Sequence, residues 1–284
     1  MMPISNQAII QKFIANAFEE DVQSGDYSSL SCIPSDAKGK AILKVKDQGI
    51  LAGVELAKNI FDVVDEKNVF KTFINDGEKI KNGDVAFEVE CNVQALLKAE
   101  RLVLNCLKRM SGVATLTKKY VDEIAHTKAK ILDTRKTTPL FRYFEKWAVR
   151  IGGGNNHRFG LFDMMMLKDN HIDFAGGIEK AILKANDFRQ KNNLQIPLEV
   201  ETRNLNEVLQ VLDCKGVDRI MFDNFSLENL TEAVKIVNRK IETEASGGVN
   251  LQTIKLIAET GVDFISVGAL THHYISLDLS LKAV

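Results

Sequence analysis

From Asn6 to Glu20 the apolar residues Ile9, Ile10, Phe13, Ile14, Ala17 and Phe18 recur at helical spacing, with Ser5 placed to cap the start. The rhythm then changes to alternation. Ala41, Leu43 and Val45 alternate with Lys44 and Lys46, and Val85, Phe87 and Val89 alternate with Ala86 and Glu88. That period belongs to half-buried strands, and Asn75-Asp76-Gly77 and Asn82-Gly83-Asp84 between them are turn signals. Residues 1–110 therefore predict an α+β sandwich domain with an antiparallel sheet. A helical stretch from Val93 to Tyr120, interrupted at Gly112, joins it to the second half of the chain.

Beyond that helix short apolar runs alternate with helical patterns. The predicted strands are Lys130–Asp133, Met164–Lys168, Leu198–Glu201, Arg219–Asp223, Ile241–Ala245 and Asp263–Val267, with helices such as Leu205–Leu212 and Leu227–Val237 between them. The Met164-Met165-Met166 run reads as core filling. Such βα alternation implies a buried parallel sheet. Six strands are fewer than eight, so the expectation for residues 111–270 is an open or incomplete α/β (TIM-like) barrel. Residues 271–284 form a tail placed to pack back on the N-terminal domain. The fold class is α/β.

Composition narrows the function. The chain has 284 residues, 45% hydrophobic and 26% charged, with a net charge of -1. No global basic field recruits nucleic acid or an anionic membrane, and no apolar run approaches the roughly 20 residues needed to span a bilayer. Cys32, Cys91, Cys106 and Cys214 are widely spaced, without a Cys-x-x-Cys pair or a disulfide framework. The N-terminus has no signal-peptide pattern. Reduced thiols in a cytoplasm are the expectation.

Each predicted strand ends in a residue that a core would not choose. Asp133 leads into Thr134-Arg135-Lys136-Thr137, Lys168 into Asp169-Asn170-His171, and Glu201, Asp223, Ser246-Gly247-Gly248 and Gly268 come in turn. One charged strand end is more often a solvated loop; five or six in succession are not, since barrels carry their active sites at the C-terminal ends of strands. Arg135, Lys136, His157, Arg158, Lys168 and His171 make a basic set, and Glu201 and Asp223 a small acidic one. Converging cations need a partner, because like charges repel and desolvate badly. A multiply anionic ligand supplies one, with arginine suited to planar carboxylate or phosphate and lysine acting as a point charge. The acids could hold a divalent ion or sugar hydroxyls, or pair with the basic set. Ser246-Gly247-Gly248, read as preceding a helix from Leu251, fits a phosphate cradle with Gly268; a plain turn is the alternative. Gly152-Gly153-Gly154 would let the backbone bend so that His157 and Arg158 face the cleft.

Taken together these segments resemble the quinolinate phosphoribosyltransferase family. The resemblance rests on Glu100-Arg101-Leu102 with Leu104-Asn105, Ser111-Gly112, Asp133 to Thr137, Gly152 to Gly154 with Asn156-His157-Arg158, Lys168-Asp169-Asn170-His171, Glu199-Val200-Glu201, Asp223-Asn224-Phe225, Ser246-Gly247-Gly248 and Val267 to His272. It spans nearly the whole chain in order. It implies an N-terminal α/β domain and an open α/β barrel in a homodimer with shared active sites, higher assembly being left open. It implies transfer of phosphoribose from 5-phosphoribosyl-1-pyrophosphate to quinolinate, assisted by Mg²⁺, giving nicotinate mononucleotide, pyrophosphate and carbon dioxide. By motif, Arg101, Arg135, His157 and Arg158 would hold the carboxylates, with Thr134 beside them. Lys136 and Lys168 would hold pyrophosphate, Lys168 also facing quinolinate, and Glu201 and Asp223 the ribose hydroxyls and metal. The catalytic set would be Lys136, Lys168, Glu201 and Asp223. Ser246, Gly247, Gly248, Gly268 and His272 would hold the 5-phosphate, with His273 an alternative to His272. A molybdenum-transport relative shares part of these motifs, but the intact Asn156-His157-Arg158 and Lys168 to His171 favour the quinolinate enzyme. A Schiff-base aldolase using Lys168 is the mechanistic rival, and it has no need of so many arginines. A non-catalytic sensor of a phosphorylated metabolite is a third reading.

Overall fold

The computed structural model describes residues 6–284, so the expected cap at Ser5 lies outside it. In chain order the first elements are α1 (Asn6–Asp21), α2 (Tyr27–Cys32), β1 (Lys38–Val45), β2 (Gly49–Ile50), α3 (Val54–Val64), β3 (Val69–Thr72), β4 (Lys79–Ile80) and β5 (Val85–Asn92). The long helix α4 (Val93–Glu123) leads to β6 (Lys130–Leu132), α5 (Arg142–Ile151), β7 (Met165–Leu167), α6 (Asp169–Ala175) and α7 (Ile178–Lys191). Then come β8 (Leu198–Thr202), α8 (Leu205–Asp213), β9 (Arg219–Asp223), α9 (Leu227–Val237), β10 (Glu242–Ser246) and α10 (Ile254–Glu259). The chain ends with β11 (Phe264–Ser266), α11 (Ala269–His272) and β12 (Leu279–Ala283).

Two compact units share these elements. Of the described residues, the first takes 6–118, 143–153 and 274–284; the second takes 119–142 and 154–273. In the first, an antiparallel sheet runs β12-β1-β5-β3, with a separate pair β2-β4. The alternation read from the sequence is its register: Leu43 lies opposite Phe87 and Ala41 opposite Val89, and all four are fully buried. The tail strand β12 pairs with β1, Leu43 opposite Leu281.

The expected interruption of α4 at Gly112 does not occur. A side chain at Gly112 would run into the carbonyl oxygen of Ile275 and the ring of Tyr274, so the glycine admits the returning tail and the helix continues. Gly152 is likewise a packing residue, since a Cβ there would strike Ala114 and Thr117 of α4.

All six predicted parallel strands are present in the second unit, ordered β6-β11-β10-β9-β8-β7. A segment at Asn155 makes one parallel bridge to Leu132 beyond β6, and the sheet does not close onto β7. One face is apolar: Val200, Ile220, Phe222 and Ile265 are fully buried, as are Val208 and Val211 on α8 and Ala233 and Val237 on α9. The other face carries the chemistry. Register places Glu199 opposite Arg219, Glu201 opposite Met221 and Ser246 opposite Asp223. Because side chains alternate faces with period two, Lys168, Glu201, Asp223, Ser246 and Gly268 line the C-terminal rim of that second face. The Met run departs from expectation. Met164, Met165 and Met166 are only part-buried, because β7 is an edge strand and not core. The helix expected from Leu251 begins at Ile254, after a turn in which Asn250 Oδ1 accepts the N–H groups of Gln252 and Thr253.

Candidate active site

Asp133, fully buried where β6 ends, organises the first loop. Its Oδ1 accepts the backbone N–H of His157 at 2.9 Å and its Oδ2 accepts Asn156 Nδ2 at 2.5 Å. Thr134 Oγ1 accepts the N–H of Lys136 at 3.1 Å, turning the chain so that Arg135 and Lys136 follow in quick succession. Arg135 Nε is buried without a hydrogen-bond partner in the protein, a donor open to an anionic ligand. Burial and the charge of Arg135 together lower the pKa of the Arg158 guanidinium, against the pull of Glu199 and Asp163. Two guanidiniums are thus set near each other and not fully neutralised.

His157 points to the inner face of the sheet, where buried carboxylates hold it. It is 8% exposed and its Nε2 lies 2.9 Å from Glu199 and 3.4 Å from Glu244, both fully buried. Its Nδ1 accepts the N–H of Arg158 at 2.8 Å. Burial lowers the ring's pKa and hydrogen bonds to Glu199 and Glu244 raise it, to about 9 with the Arg158 N–H left aside. The Arg158 N–H argues the other way, because a doubly protonated ring has no acceptor to offer. The hydrogen bond decides for a ring with its one proton on Nε2, since a second proton would turn that contact repulsive. Burial and the neighbouring Glu244 raise the Glu199 pKa. Burial works against Glu244 too, yet His157 and Arg219 lower its pKa on balance. Arg219 Nη1 meets Glu244 at 2.9 Å. Sequence reasoning passed over Glu199, Arg219 and Glu244 as members of a site. Their signal was charge at the inward parity of strands that should be buried.

His157, Glu199 and Glu244 are the one group of three ligating residues close enough to hold a metal ion among the described residues. Arg219 already supplies positive charge there, so the group reads as the protein's own ion network.

At the rim, Lys168 Nζ lies 3.7 Å from Glu201 Oε2. Burial raises the Glu201 pKa, Lys168 opposes this and Asp223 adds to it, so the two acids feel each other. His171 is turned aside from the basic set: its Nδ1 accepts the Lys168 N–H at 3.0 Å and so caps α6. Asn224, with φ 55°, donates from Nδ2 to Asp223 at 2.8 Å. Gly247 has φ 94° and sits so close to Asn224 that no Cβ fits. At Gly268 a Cβ would meet His272 Nε2 at 2.9 Å and Lys136 Cδ at 3.2 Å. That brings Lys136, Gly268 and His272 together, with Thr271 Oγ1 donating to the Lys136 carbonyl at 2.9 Å. His272 is thus the histidine beside Gly268, and His273 stacks edge-on behind it at 4.4 Å. Arg101 is on α4 in the first unit, exposed and without an ion pair to any described residue.

Both halves of the chain match known proteins. Residues 26–111 match the quinolinate phosphoribosyl transferase N-terminal domain, and residues 113–282 its C-terminal domain. The chain is 46% identical over 281 residues to quinolinate phosphoribosyltransferase [decarboxylating] 2b, mitochondrial, of Nicotiana tabacum, covering 94% of this chain and 80% of the relative. It is 40% identical over 276 residues to a probable nicotinate-nucleotide pyrophosphorylase [carboxylating] of Bacillus subtilis (strain 168), covering 97% and 94%. The solved nicotinate-nucleotide pyrophosphorylase of Francisella tularensis superposes with a TM-score of 0.91 at 39% identity, covering 99% and 98%. With both domains matched and relatives above 30% identity along most of its length, the chain belongs to the quinolinate phosphoribosyltransferase family.

Proposed function

We propose that this chain transfers the phosphoribosyl group of 5-phosphoribosyl-1-pyrophosphate to quinolinate with decarboxylation, in NAD biosynthesis. The observation that carries the reading is one rim of one sheet face holding Lys168, Glu201, Asp223, Ser246 and Gly268, together with an Arg158 guanidinium that feels the charge of Arg135. Cations for carboxylates, acids for a sugar and glycine-lined backbone for phosphate are the parts such a reaction needs.

Arg135 and Arg158, with Arg101 of the partner subunit, would hold the two carboxylates. Lys136 and Lys168 would hold the departing diphosphate, and Ser246, Gly247, Gly248, Gly268 and His272 the 5-phosphate. Glu201 and Asp223 suit Mg²⁺: both are part-buried, burial and the charge of Asp223 raise the Glu201 pKa, and Mg²⁺ is held by one or two carboxylates plus substrate oxygens. Bound there, Mg²⁺ would neutralise charge on the leaving group. The C1′–oxygen bond breaks toward diphosphate, and the carboxylates stabilise the positive charge left on the ribose. The pyridine nitrogen then bonds to C1′, a step that depends on alignment more than on a strong base. The ring nitrogen is now cationic, so the adjacent carboxylate leaves as carbon dioxide, its electron pair stays on the ring carbon, and a proton from water completes the product.

A homodimer with shared sites is part of the proposal and is supported by the exposed, unpaired Arg101. A cytoplasmic setting is supported by four free cysteines. No helix among the described residues is long and apolar enough to cross a membrane. The test is incubation with quinolinate, 5-phosphoribosyl-1-pyrophosphate and Mg²⁺. Equal release of carbon dioxide and diphosphate, both dependent on quinolinate, is expected; release of neither overturns the assignment.

A further inference from the structure

Below the rim, the inner face of the second unit carries charges that the proposed reaction does not use. Glu199 on β8 and Glu244 on β10 are fully buried, and Arg219 on β9 reaches both Glu242 and Glu244 while lying 3.9 Å over the Phe264 ring. A buried ion cluster of this kind is costly to desolvate, and hydrophobic replacements are often as stable. Its presence therefore calls for a reason other than stability.

The cluster converges on His157. Nε2 of that ring is held by Glu199 at 2.9 Å and approached by Glu244 at 3.4 Å, while Nδ1 accepts the N–H of Arg158 at 2.8 Å. Both ring nitrogens are engaged by the protein, and the ring is nearly inaccessible. Direct contact with a substrate carboxylate would break one of these bonds. The hydrogen bond made by one ring nitrogen sets the proton on the other. A ring with Nε2–H directed at Glu199 presents Nδ1 as an acceptor, and the residue that uses that acceptor is Arg158.

We propose that Glu199, Glu244 and Arg219 are positioning residues: they fix His157 as the Nε2–H tautomer, and His157 fixes the backbone at Arg158 so that its guanidinium stands ready beside Arg135. His157 then acts on quinolinate through Arg158 and not by its own contact. Its partner Asp133 holds the same segment from the other side, through the N–H of His157. This inference rests on the quinolinate reading. It places the specificity for one substrate, and not for the sugar phosphate, in residues that touch neither.

The test combines a spectrum with a kinetic split. In wild-type protein carrying 15N-labelled histidine, the His157 signals, assigned among the five histidines by their loss in His157→Asn, should show a protonated Nε2 and an unprotonated Nδ1. Glu199→Gln keeps an acceptor of the same shape and should retain that pattern and near-normal kinetics. Glu199→Leu removes the acceptor. It should lose the pattern and raise KM for quinolinate about tenfold, equivalent to roughly 1.4 kcal/mol, with KM for 5-phosphoribosyl-1-pyrophosphate changed by less than about twofold. The double variant Arg219→Met/Glu244→Leu removes both charges of the second pair at once and should show a smaller split in the same direction. A doubly protonated His157, or one protonated on Nδ1, in the wild type overturns the proposal. So does a folded Glu199→Leu that keeps its KM for quinolinate or raises both KM values together. If the leucine variants do not fold, the spectra of wild type and Glu199→Gln decide. Absence of quinolinate turnover in the wild type sinks the functional reading instead, and the ring spectrum is independent of it.

Discussion

At the scale of single residues the site is a problem in charge. Arg135 and Arg158 raise each other's energy, and the buried Arg135 Nε has no partner of its own. A ligand with two neighbouring carboxylates relieves both, whereas nicotinate, with one, leaves a buried donor unmatched at a cost of about 1–3 kcal/mol. Quinolinate should therefore be preferred in kcat/KM by a factor of roughly ten to a hundred or more, read from parallel assays with the two acids. Equal values would remove the arginines from the specificity argument. Glu201 and Asp223 lie at the rim, where truncation leaves no core cavity. Glu201→Ala and Asp223→Ala should each lower turnover by about 10²–10³-fold at saturating Mg²⁺, the size of effect seen when one preorganised electrostatic partner is removed. Their thermal midpoints should stay close to wild type, and near-normal activity in either variant would end its assigned role. These rim residues were legible in the sequence because each interrupts an apolar run at its end. Glu199, Glu244 and Arg219 were not, because a charge inside a strand looks like ordinary alternation until register shows which residues share its face. The turn of His157 toward the cleft was expected from the glycines before it, but its partners Glu199 and Glu244 were not, because they come from strands far away in the chain.

At the scale of elements, glycine misled the sequence reading most. Gly112 looked like a break in α4, but the helix is continuous and the residue is a contact point, with the Ile275 carbonyl where a side chain would go. Helix propensity alone favours Gly112→Ala by up to about 1 kcal/mol. Overpacking against rigid backbone costs about 1–3 kcal/mol. The second effect wins, so Gly112→Ala should lower the thermal midpoint where helix propensity alone would raise it; a higher midpoint would mean that the tail yields freely. The six parallel strands were readable because their apolar runs are bounded by turns and helical patterns. The two-residue strands β2 and β4 were not, since each holds a single period of alternation, and α10, six residues long, was read but with its start misplaced. The same shortness explains the error at Leu251, where a polar turn built by Asn250 continues the apparent helix forward.

At the scale of the whole molecule, the order of residues along the chain and their grouping in space part company. Residues 143–153 and 274–284 belong to the first unit, although β6 of the second unit precedes the former and all six of its strands precede the latter. The β1–β12 ladder, with Val45 opposite Leu279, makes the tail an integral strand of that unit. No local pattern reveals such a return, because pairing between the two ends of a chain leaves no trace in periodicity. Arg101 poses the last question at this scale. It stands on α4 among Val103 and Leu104, which are buried, yet it is itself exposed and has no ion pair to a described residue. A local pair with Glu100 would be worth only about 0–1 kcal/mol and is not formed. An arginine held on a rigid helix with its charge unspent suits an anion presented by a second copy of the chain. Two-fold symmetry would make the exchange reciprocal, each subunit completing the other's site. The proposal can be tested by complementation. Arg101→Ala chains retain Lys136, and Lys136→Ala chains retain Arg101. Each homodimer should be nearly inactive. After mixing and reannealing, a heterodimer carries both lesions in one site and neither in the other. Half of the randomly assorted dimers would then hold one intact site, so about a quarter of wild-type activity should return, on the statistics of a closed dimer. Mass spectrometry of differently tagged chains checks that exchange has taken place. Exchange without recovered activity would show that Arg101 serves its own subunit or no site at all.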